Sequence, residues 1–270
     1  MSSSPPRYHP AIRVEGEGHI ATVTIDSPES RNACTGDMWV ALGRTFKELD
    51  HSGVRAIVLT GAGGNFCAGA DLTGAGGNGD TQGARPPHNI ENMRVLADVV
   101  LAVHDCSVPV IAQVEGLCVG AGLGLALAAD LTYCADDARL SLIFAKRGLS
   151  LDFGTSWLLR DRIGTHRAKE LAFTARMLSG TEAAALGLVN ASVPQNELGT
   201  VVSDVASTIA AGPPIALSMS KRELDNASMS SLVQALEAEA LAQNVNASTE
   251  DMREAMIAFF ERRPPEFHGR

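Results

Sequence analysis

Two glycine-rich segments contain the residue types expected of a site for a negatively charged oxygen. The first is NFCAGADL (65–72), and the second is EGLCVGAGLG (115–124), in which Gly120, Gly122 and Gly124 leave no side chains where a strand turns into a helix. Backbone N–H groups at such a turn can approach a ligand closely, and those at a helix N-terminus carry partial positive charge. The second segment therefore predicts an anion-binding turn or, alternatively, a glycine-lined packing contact between helix and sheet.

Signatures of several other chemistries are missing or incomplete. Neither glycine turn has the third glycine of a dinucleotide fingerprint, because Phe66 and Leu125 stand at that position. The sequence has no GxxxxGK[ST] or HExxH motif, and Ser156 lacks the flanking glycines of a nucleophile elbow. The five cysteines are scattered without metal-ligand spacing. A nicotinamide enzyme, a serine hydrolase and a metal site are therefore not predicted.

Buried strands precede both glycine turns. VRAIVLT (54–60) leads into the first turn and PVIAQV (109–114) into the second, and both are nearly all apolar, as in strands covered on two faces. Further strands are predicted over 19–26, 131–135 and 187–193. Helices are predicted over 89–105 and after two N-cap residues, Thr35 and Thr181. This alternation predicts an α/β fold with both turns at the C-terminal ends of strands.

The last third of the chain is predicted to be almost entirely helical. Amphipathic helices are expected over 196–212, 213–227, 230–246 and 248–262, with no sheet left for them to cover. Apolar helix faces without such a partner predict packing against other subunits. We therefore divide the chain into a core, 1–205, with a disordered lead-in at 1–10, and a helical C-terminal region, 206–270.

Composition limits the partners and the compartment. The chain has 270 residues, 45% of them hydrophobic, which suffices for one large domain, and a net charge of −9 argues against nucleic acid or an anionic membrane as partner. No apolar run reaches the ~20 residues of a membrane helix. MSSSPPRYHP lacks the apolar segment of a signal peptide. These features predict a cytoplasmic protein with buried, reduced cysteines.

Segments across nearly the whole chain resemble the enoyl-CoA hydratase/isomerase (crotonase) superfamily. The FxAGADL motif together with the second glycine turn is a specific signature of that superfamily. The matching segments are PESRNACT (28–35), AIVLTG (56–61), NFCAGADL (65–72), PVIAQVEGLCVGAGLGLALAAD (109–130), GTSWLLRDRIG (154–164), AKELAFTARMLSGTEAAALGLVN (168–190) and AFFERRPPEF (258–267). The resemblance implies a ClpP/crotonase-like spiral of β-β-α units, a C-terminal trimerisation region, and a homotrimer or a dimer of trimers.

The same resemblance implies an acyl-CoA thioester as the substrate. The backbone N–H groups of Ala70 and Ala121 match the two donors of the family's oxyanion hole, and alanine in place of the more usual glycine at 121 keeps the N–H. A thioester deprotonated at Cα becomes an enolate, which two such donors stabilise by about 3–4 kcal/mol each. No separate cofactor is implied, since coenzyme A is part of the substrate.

The acid/base positions depart from the hydratase pattern. Family hydratases carry two glutamates, and the matching positions here are Gly124 and Phe144, neither of which can transfer a proton. Asp152 is the remaining carboxylate on this segment, and in several isomerase and dehalogenase branches an aspartate at the matching position reaches the acyl carbons. Apolar neighbours favour a raised pKa for such a group. The alternative is that Asp152 only caps the helix that starts near Gly154.

Other residues match family positions that contact the substrate. Arg31 matches the region near the CoA nucleotide, and Phe259 and Arg262 match a pair on the last helix that reaches the adenosine diphosphate of a neighbouring subunit; Lys221 is a weaker candidate. For the cationic residues, the alternative is a solvated helix face. Asp71 is expected mainly to order its loop. The complete predicted substrate-binding set is Ser30, Arg31, Ala68, Asp71, Leu72, Gly120, Phe144, Phe259 and Arg262.

Three hypotheses about function follow. The first is an enzyme of fatty-acid or carboxylic-acid metabolism that shifts the double bond of an enoyl-CoA, with Asp152 moving the proton. The second is hydration of a 2-enoyl-CoA by water held by groups other than the two glutamates. The third, from another class, is a non-catalytic acyl-CoA-binding protein that kept the fold.

Overall fold

Strands of two β-sheets alternate with helices in the computed structural model, which describes residues 8–71 and 90–270. Short 3-10 helices occur at Pro28–Ser30 and Ile143–Arg147. In chain order the other elements are β1 (Ile12–Glu17), β2 (Ile20–Ile25), α1 (Gly36–Leu49), β3 (Ala56–Gly61), α2 (Ile90–His104), β4 (Val110–Val114), β5 (Leu117–Val119), α3 (Ala121–Ala128), β6 (Leu131–Ala135), β7 (Arg139–Ser141), α4 (Thr155–Thr174, with non-helical backbone at Gly164), β8 (Leu178–Ser179), α5 (Gly180–Ala185), β9 (Ala191–Val193), α6 (Gln195–Ala210), α7 (Pro214–Ala227), α8 (Leu232–Ala247) and α9 (Glu250–Glu261).

The larger sheet places the predicted buried strands at its centre. Its order is β1-β2-β3-β4-β6-β9, with β1 and β2 antiparallel and every other pair parallel. Ile57 on β3 pairs with Val110 on β4, and both are fully buried. Helices cover this sheet, which explains why these strands are apolar on both faces. The α/β alternation predicted from the sequence is therefore confirmed.

The smaller sheet has the order β5-β7-β8 and follows the second glycine turn. β5 and β7 are parallel, with Cys118 opposite Leu140, whereas β7 and β8 are antiparallel. These strands have only two or three residues each. Sequence periodicity needs at least four residues to identify a strand, so none of the three was predicted.

The structure corrects three local predictions. Residues 8–10 are not a disordered lead-in, because the Tyr8 hydroxyl donates to Glu48 (2.7 Å) and the Ile12 N–H donates to the His9 carbonyl (3.0 Å). They lead into β1, which the sequence analysis missed. Thr181 does not cap the short helix; Ser179 does, in a reciprocal pair with Glu182.

The C-terminal helices leave the sheet. The predicted division between residues 205 and 206 falls inside α6, whose buried residues Val202, Ala206 and Ala210 belong to the hydrophobic core. α7 buries no residue and α8 buries only Ala242. Large apolar side chains on these helices are exposed, namely Leu224, Leu232, Val233, Leu236, Leu241, Phe259 and Phe260. Packing of these faces against other subunits remains a prediction.

Within the described ranges, no individual helix combines the length and apolarity needed to cross a bilayer. α6 and α7 meet that test only when taken together, and they are bent by 108° at the break between them.

Candidate active site

The two glycine turns lie against each other. Backbone hydrogen bonds join them: the Cys67 N–H donates to the Leu117 carbonyl (2.9 Å), and the Val119 N–H donates to the Cys67 carbonyl (3.1 Å). A Cβ on Gly122 would collide with the Cys67 carbonyl oxygen, and one on Gly69 would lie 2.9 Å from the Val119 oxygen. The packing alternative therefore applies to Gly122, whereas Gly120 forms the turn at φ 57° and anion binding there stays a prediction.

Two N–H groups at this junction have no acceptor among the described residues. The N–H groups of the adjacent residues already donate hydrogen bonds within the chain. The Gly69 N–H donates to Cys67 Sγ (3.4 Å), the Asp71 N–H to the Cys34 carbonyl (2.9 Å) and the Gly120 N–H to the Ser141 carbonyl (2.9 Å). Ala70 lies between Gly69 and Asp71, and Ala121 follows Gly120. Neither alanine donates a backbone hydrogen bond within the described part of the chain. Ala121 is the first residue of α3, so its N–H has no acceptor within the helix.

The electrostatics of α3 favour a negative charge at Ala121. All eight residues of this helix are buried, so its N-terminal partial charge is little screened by water. At the other end, Arg162 Nη2 donates to the carbonyls of Leu127 (2.6 Å) and Ala129 (2.8 Å). Burial lowers the pKa of Arg162 from its ordinary value. The guanidinium thus satisfies two carbonyls at the C-terminal end of α3, where its positive charge also complements the helix dipole.

Asp152 precedes α4 but does not cap it. The N-cap is Gly154, with no side-chain hydrogen bond at the cap. The Thr155 N–H (3.0 Å) and hydroxyl (2.7 Å) both donate to the Asp152 backbone carbonyl. The interpretation of this side chain as a helix cap is therefore wrong. Asp152 is half-buried, and its Oδ1 is shielded from solvent.

Phe153 packs against the first turn of α3 and thereby holds the Asp152 segment next to that turn. Its φ of 52° lies in the left-handed region, which is costly for a bulky residue. The ring is buried against Trp39, with 4.7 Å between ring centroids. A Cβ on Gly124 would lie 2.7 Å from the Phe153 carbonyl oxygen. Since Gly124 follows Ala121 by three residues on one helix, the structure brings the Asp152 segment to the turn that carries Ala121.

Gly124 has no room for the glutamate that hydratases carry at this position. We expect Gly124→Glu to lower the free energy of unfolding by about 1–3 kcal/mol, because even its Cβ would overlap Phe153, 2.7 Å from the carbonyl oxygen and 2.9 Å from Cβ. Urea denaturation would measure the loss. Gly199→Glu on α6 is the matched control, since a Cβ there meets nothing within 4 Å. Equal stability of the Gly124 variant and the wild type would contradict the packing argument.

Phe144, at the second hydratase glutamate position, is also apolar and buried. It lies on the 3-10 helix Ile143–Arg147 and is 5% exposed. Its Cε1 would be 4.0 Å from a Cβ on Gly120. The side chain next to the second glycine turn is therefore a phenyl ring and cannot exchange a proton.

The predicted residues around the first turn hold that turn in place. The Ser30 hydroxyl donates to the Ser27 carbonyl (3.0 Å), and the Arg31 carbonyl accepts from the Ala68 N–H (3.1 Å). The Arg31 side chain is exposed, and Ala68 and Asp71 are half-buried. Leu72 lies outside the described residues.

Asn32 is a positioning residue that the sequence analysis missed. It is fully buried at φ 59°, and its Nδ2 donates to the carbonyls of Ala62 (2.8 Å) and Asn65 (2.6 Å) while its Oδ1 accepts from the Ser27 N–H (2.9 Å). This amide ties the segment before α1 to the loop after β3. Asparagine tolerates the left-handed conformation better than most residues, which is the signal that could have identified it.

The more distant candidates lie on the C-terminal helices. Phe259 is 74% exposed on α9, and Arg262 ends that helix at φ 57°. Asp251 holds the C-terminal tail against α9 by accepting from the N–H groups of His268 (2.6 Å) and Gly269 (2.9 Å). Lys221 is half-buried and forms an ion pair with Asp130 (2.9 Å), and its role as a CoA contact stays a prediction.

The thiols near the turns are buried and poorly suited to nucleophilic chemistry. Cys34 and Cys67 place their sulfur atoms 4.0 Å apart, and this hydrogen bond together with burial raises the pKa of Cys34. Burial likewise raises the pKa of Cys118. Thiols with raised pKa values stay neutral at physiological pH. Among the described residues, no group of three or more His, Cys, Asp or Glu side chains could hold a metal ion.

Comparisons with known proteins extend over nearly the entire chain. A sequence model of the family described as enoyl-CoA hydratase/isomerase matches residues 15–270. A "Probable enoyl-CoA hydratase" of Rhodobacter capsulatus is 35% identical over 269 residues, which cover 97% of this chain and 99% of the relative. The peroxisomal Delta(3,5)-Delta(2,4)-dienoyl-CoA isomerase of Arabidopsis thaliana is 30% identical over 264 residues, which cover 95% of each chain.

The structural comparison agrees with the sequence matches. The crystal structure of enoyl-CoA hydratase from Bacillus anthracis has a TM-score of 0.89 with this chain at 29% identity, covering 96% of this chain and 100% of that one. The resemblance and the fold class predicted from the sequence are thereby confirmed, including the helices that follow the α/β core. The chain belongs to the enoyl-CoA hydratase/isomerase family of enzymes, which have the crotonase fold and act on acyl-CoA thioesters.

Proposed function

We propose that the protein isomerises the carbon–carbon double bond of an enoyl-CoA thioester. One observation carries the proposal: Asp152 is held against the α3 turn whose Ala121 N–H has no acceptor among the described residues, whereas both hydratase glutamate positions hold residues without a titratable group, Gly124 and Phe144. A single carboxylate suffices to move a proton between two carbons. Activation of water by the family's hydratase route uses two.

The first step forms an enolate. The thioester oxygen of a 3-enoyl-CoA accepts hydrogen bonds from the Ala70 and Ala121 N–H groups, and the Asp152 carboxylate removes a proton from C2. The electron pair of the broken C–H bond delocalises through C1 onto that oxygen, producing a dienolate. Donors that are already in place stabilise this charge without reorganisation, by about 3–4 kcal/mol each.

The second step delivers a proton from Asp152 to the far end of the dienolate, and this proton exchanges with solvent while the carboxyl group holds it. The electrons of the C3–C4 double bond take a proton from protonated Asp152 and form the C4–H bond, those of the C1–C2 double bond move to C2–C3, and the thioester carbonyl re-forms. The product is a 2-enoyl-CoA, and no atom is gained or lost. A positioned carboxylate that acts first as base and then as acid contributes about 10²–10⁴-fold to such a reaction.

Hydration of a 2-enoyl-CoA is the second candidate. The name of the Rhodobacter capsulatus relative supports it. The apolar residues at both glutamate positions weigh against it, because a water molecule there would lack the two carboxylates that hold and activate it.

The assembly in our proposal is a homotrimer or a dimer of trimers. The exposed apolar side chains of α7–α9 support this assembly, since a monomer would leave them in water. In such an assembly Phe259 and Arg262 of one protomer would contact CoA bound to its neighbour. We further propose a cytoplasmic location and no cofactor other than the CoA of the substrate.

An assay in D₂O separates the candidate functions. Purified protein is incubated with a 3-enoyl-CoA and, separately, with a 2-enoyl-CoA, and the products are followed by absorbance of the conjugated thioester and by mass. Isomerisation predicts growth of the conjugated thioester at constant acyl mass apart from deuterium. Conversion of the 2-enoyl-CoA into a 3-hydroxyacyl-CoA would favour hydration. Tight binding of acyl-CoA without turnover of either substrate would favour a non-catalytic binding protein.

A further inference from the structure

A buried indole near the site has no hydrogen-bond acceptor in the part of the chain that the structure describes. Trp39 is 2% exposed, and its Nε1 is shielded from solvent without a partner there. The indole N–H can only donate. Nearly all buried polar groups in folded proteins have a partner, so an exception beside an active site points to an acceptor supplied by a ligand.

Trp39 lies between the two halves of the proposed site. On one side, its own backbone N–H donates to the Thr35 carbonyl (3.1 Å), and the preceding Cys34 is hydrogen-bonded to Gly69 (2.8 Å) and Asp71 (2.9 Å), the residues that flank Ala70. On the other side, its ring packs on Phe153, the residue after Asp152, at 4.7 Å between centroids. The indole therefore belongs to the region between the oxyanion donors and the proton-transfer group.

In the proposed reaction the acyl chain passes through this region. In the proposed reaction the thioester oxygen is held at Ala70 and Ala121, and C2 and C4 lie beside Asp152. Chain atoms beyond C4 then meet the aromatic pair of Trp39 and Phe153. A hydrocarbon chain would pack against the two rings, but the indole N–H would still lack an acceptor. An unpaired donor is unfavourable in a buried site.

We propose that Trp39 Nε1–H donates a hydrogen bond to an oxygen atom carried by the acyl group beyond C4. The substrates are then acyl-CoA thioesters with an ether, hydroxyl or carbonyl oxygen on the chain, in preference to plain hydrocarbon chains. The inference rests on the proposed function, because it requires the thioester to be held at Ala70 and Ala121. A site that donates to a substrate oxygen discriminates against an analogue that lacks it.

Saturated acyl-CoAs test this inference without turnover. The ligands have equal chain length, and in each one the methylene at C5, C6, C7 or C8 is replaced by an ether oxygen. Calorimetry measures how tightly each ligand binds to the wild type and to Trp39→Phe. We expect one ether position to bind the wild type about three- to ten-fold more tightly than the all-carbon chain, the size of one net hydrogen bond. Trp39→Phe keeps an aromatic ring but has no N–H to donate, so it should lose that preference and bind the ether and all-carbon chains equally.

A second measurement on the wild type avoids dependence on the folding of the variant. The protein has two tryptophans, Trp39 and Trp157, so ¹⁵N-indole labelling yields two Nε1–H resonances. The favoured ether ligand should shift the Trp39 resonance downfield relative to the all-carbon ligand, with Trp157, which is 37% exposed, as internal reference. An equal Trp39 shift with both ligands would overturn the inference.

The outcomes separate this inference from the isomerase proposal. If no ether position binds better than carbon, or if the preference survives in Trp39→Phe, the role of Trp39 is wrong and the double-bond assay is unaffected. If the preference depends on Trp39 but no double bond moves, the hydrogen bond stands and the isomerase proposal fails.

Discussion

Replacing Ala121 with proline is expected to lower kcat/KM for a 3-enoyl-CoA by about 10²–10³-fold, the usual effect of deleting one oxyanion donor. Proline removes the backbone N–H and is well tolerated at the first position of a helix, which Ala121 occupies. The preceding residue is Gly120, which has no Cβ to clash with the ring. Because the Ala121 N–H has no acceptor in the described chain, its loss breaks no hydrogen bond there.

Steady-state kinetics with thermal unfolding would measure this effect. Ala121→Gly is the matched control, since it keeps the N–H and should retain activity within a few-fold. Cooperative unfolding of the proline variant near the wild-type temperature would show that the fold is intact. A proline variant as active as the wild type would remove Ala121 from the oxyanion hole.

Asp152→Asn is expected to lower kcat by about 10²–10⁴-fold with little change in KM. The amide has the shape of the carboxylate but cannot accept the C2 proton. The contacts that position the segment involve the Asp152 backbone carbonyl and the Phe153 ring, which the substitution leaves in place. Substrate binding through Ala70 and Ala121 should therefore persist.

Deuterium exchange at C2 provides an independent readout of the same step. In D₂O the wild type should incorporate deuterium at C2 and C4, and Asp152→Asn should not. Asp71→Asn is the control, because Asp71 is another carboxylate beside the turns and its backbone N–H donates to the Cys34 carbonyl. Normal turnover and exchange in the Asp152 variant would rule out Asp152 as the base.

Much of the fold was predictable because its signals are local. The strands 54–60 and 109–114 are apolar enough to be recognised as buried, and the structure places them side by side as β3 and β4. Thr35 was predicted to cap α1, and its hydroxyl accepts from the Met38 N–H (3.3 Å). β5, β7 and β8 were missed, since their identity depends on partners distant in sequence and not on their own pattern.

By itself, the sequence determined the fold class, the family resemblance, the two glycine turns and the absence of glutamate from both hydratase positions. Those conclusions depend on residue type and spacing along the chain. Only the tertiary structure decided that Gly124 must be glycine, that Phe153 fastens Asp152 to α3, and that Trp39 lies beside them with an unpaired donor in the described chain. These are contacts between residues far apart in sequence, and their packing and hydrogen bonding exist only once the chain has folded.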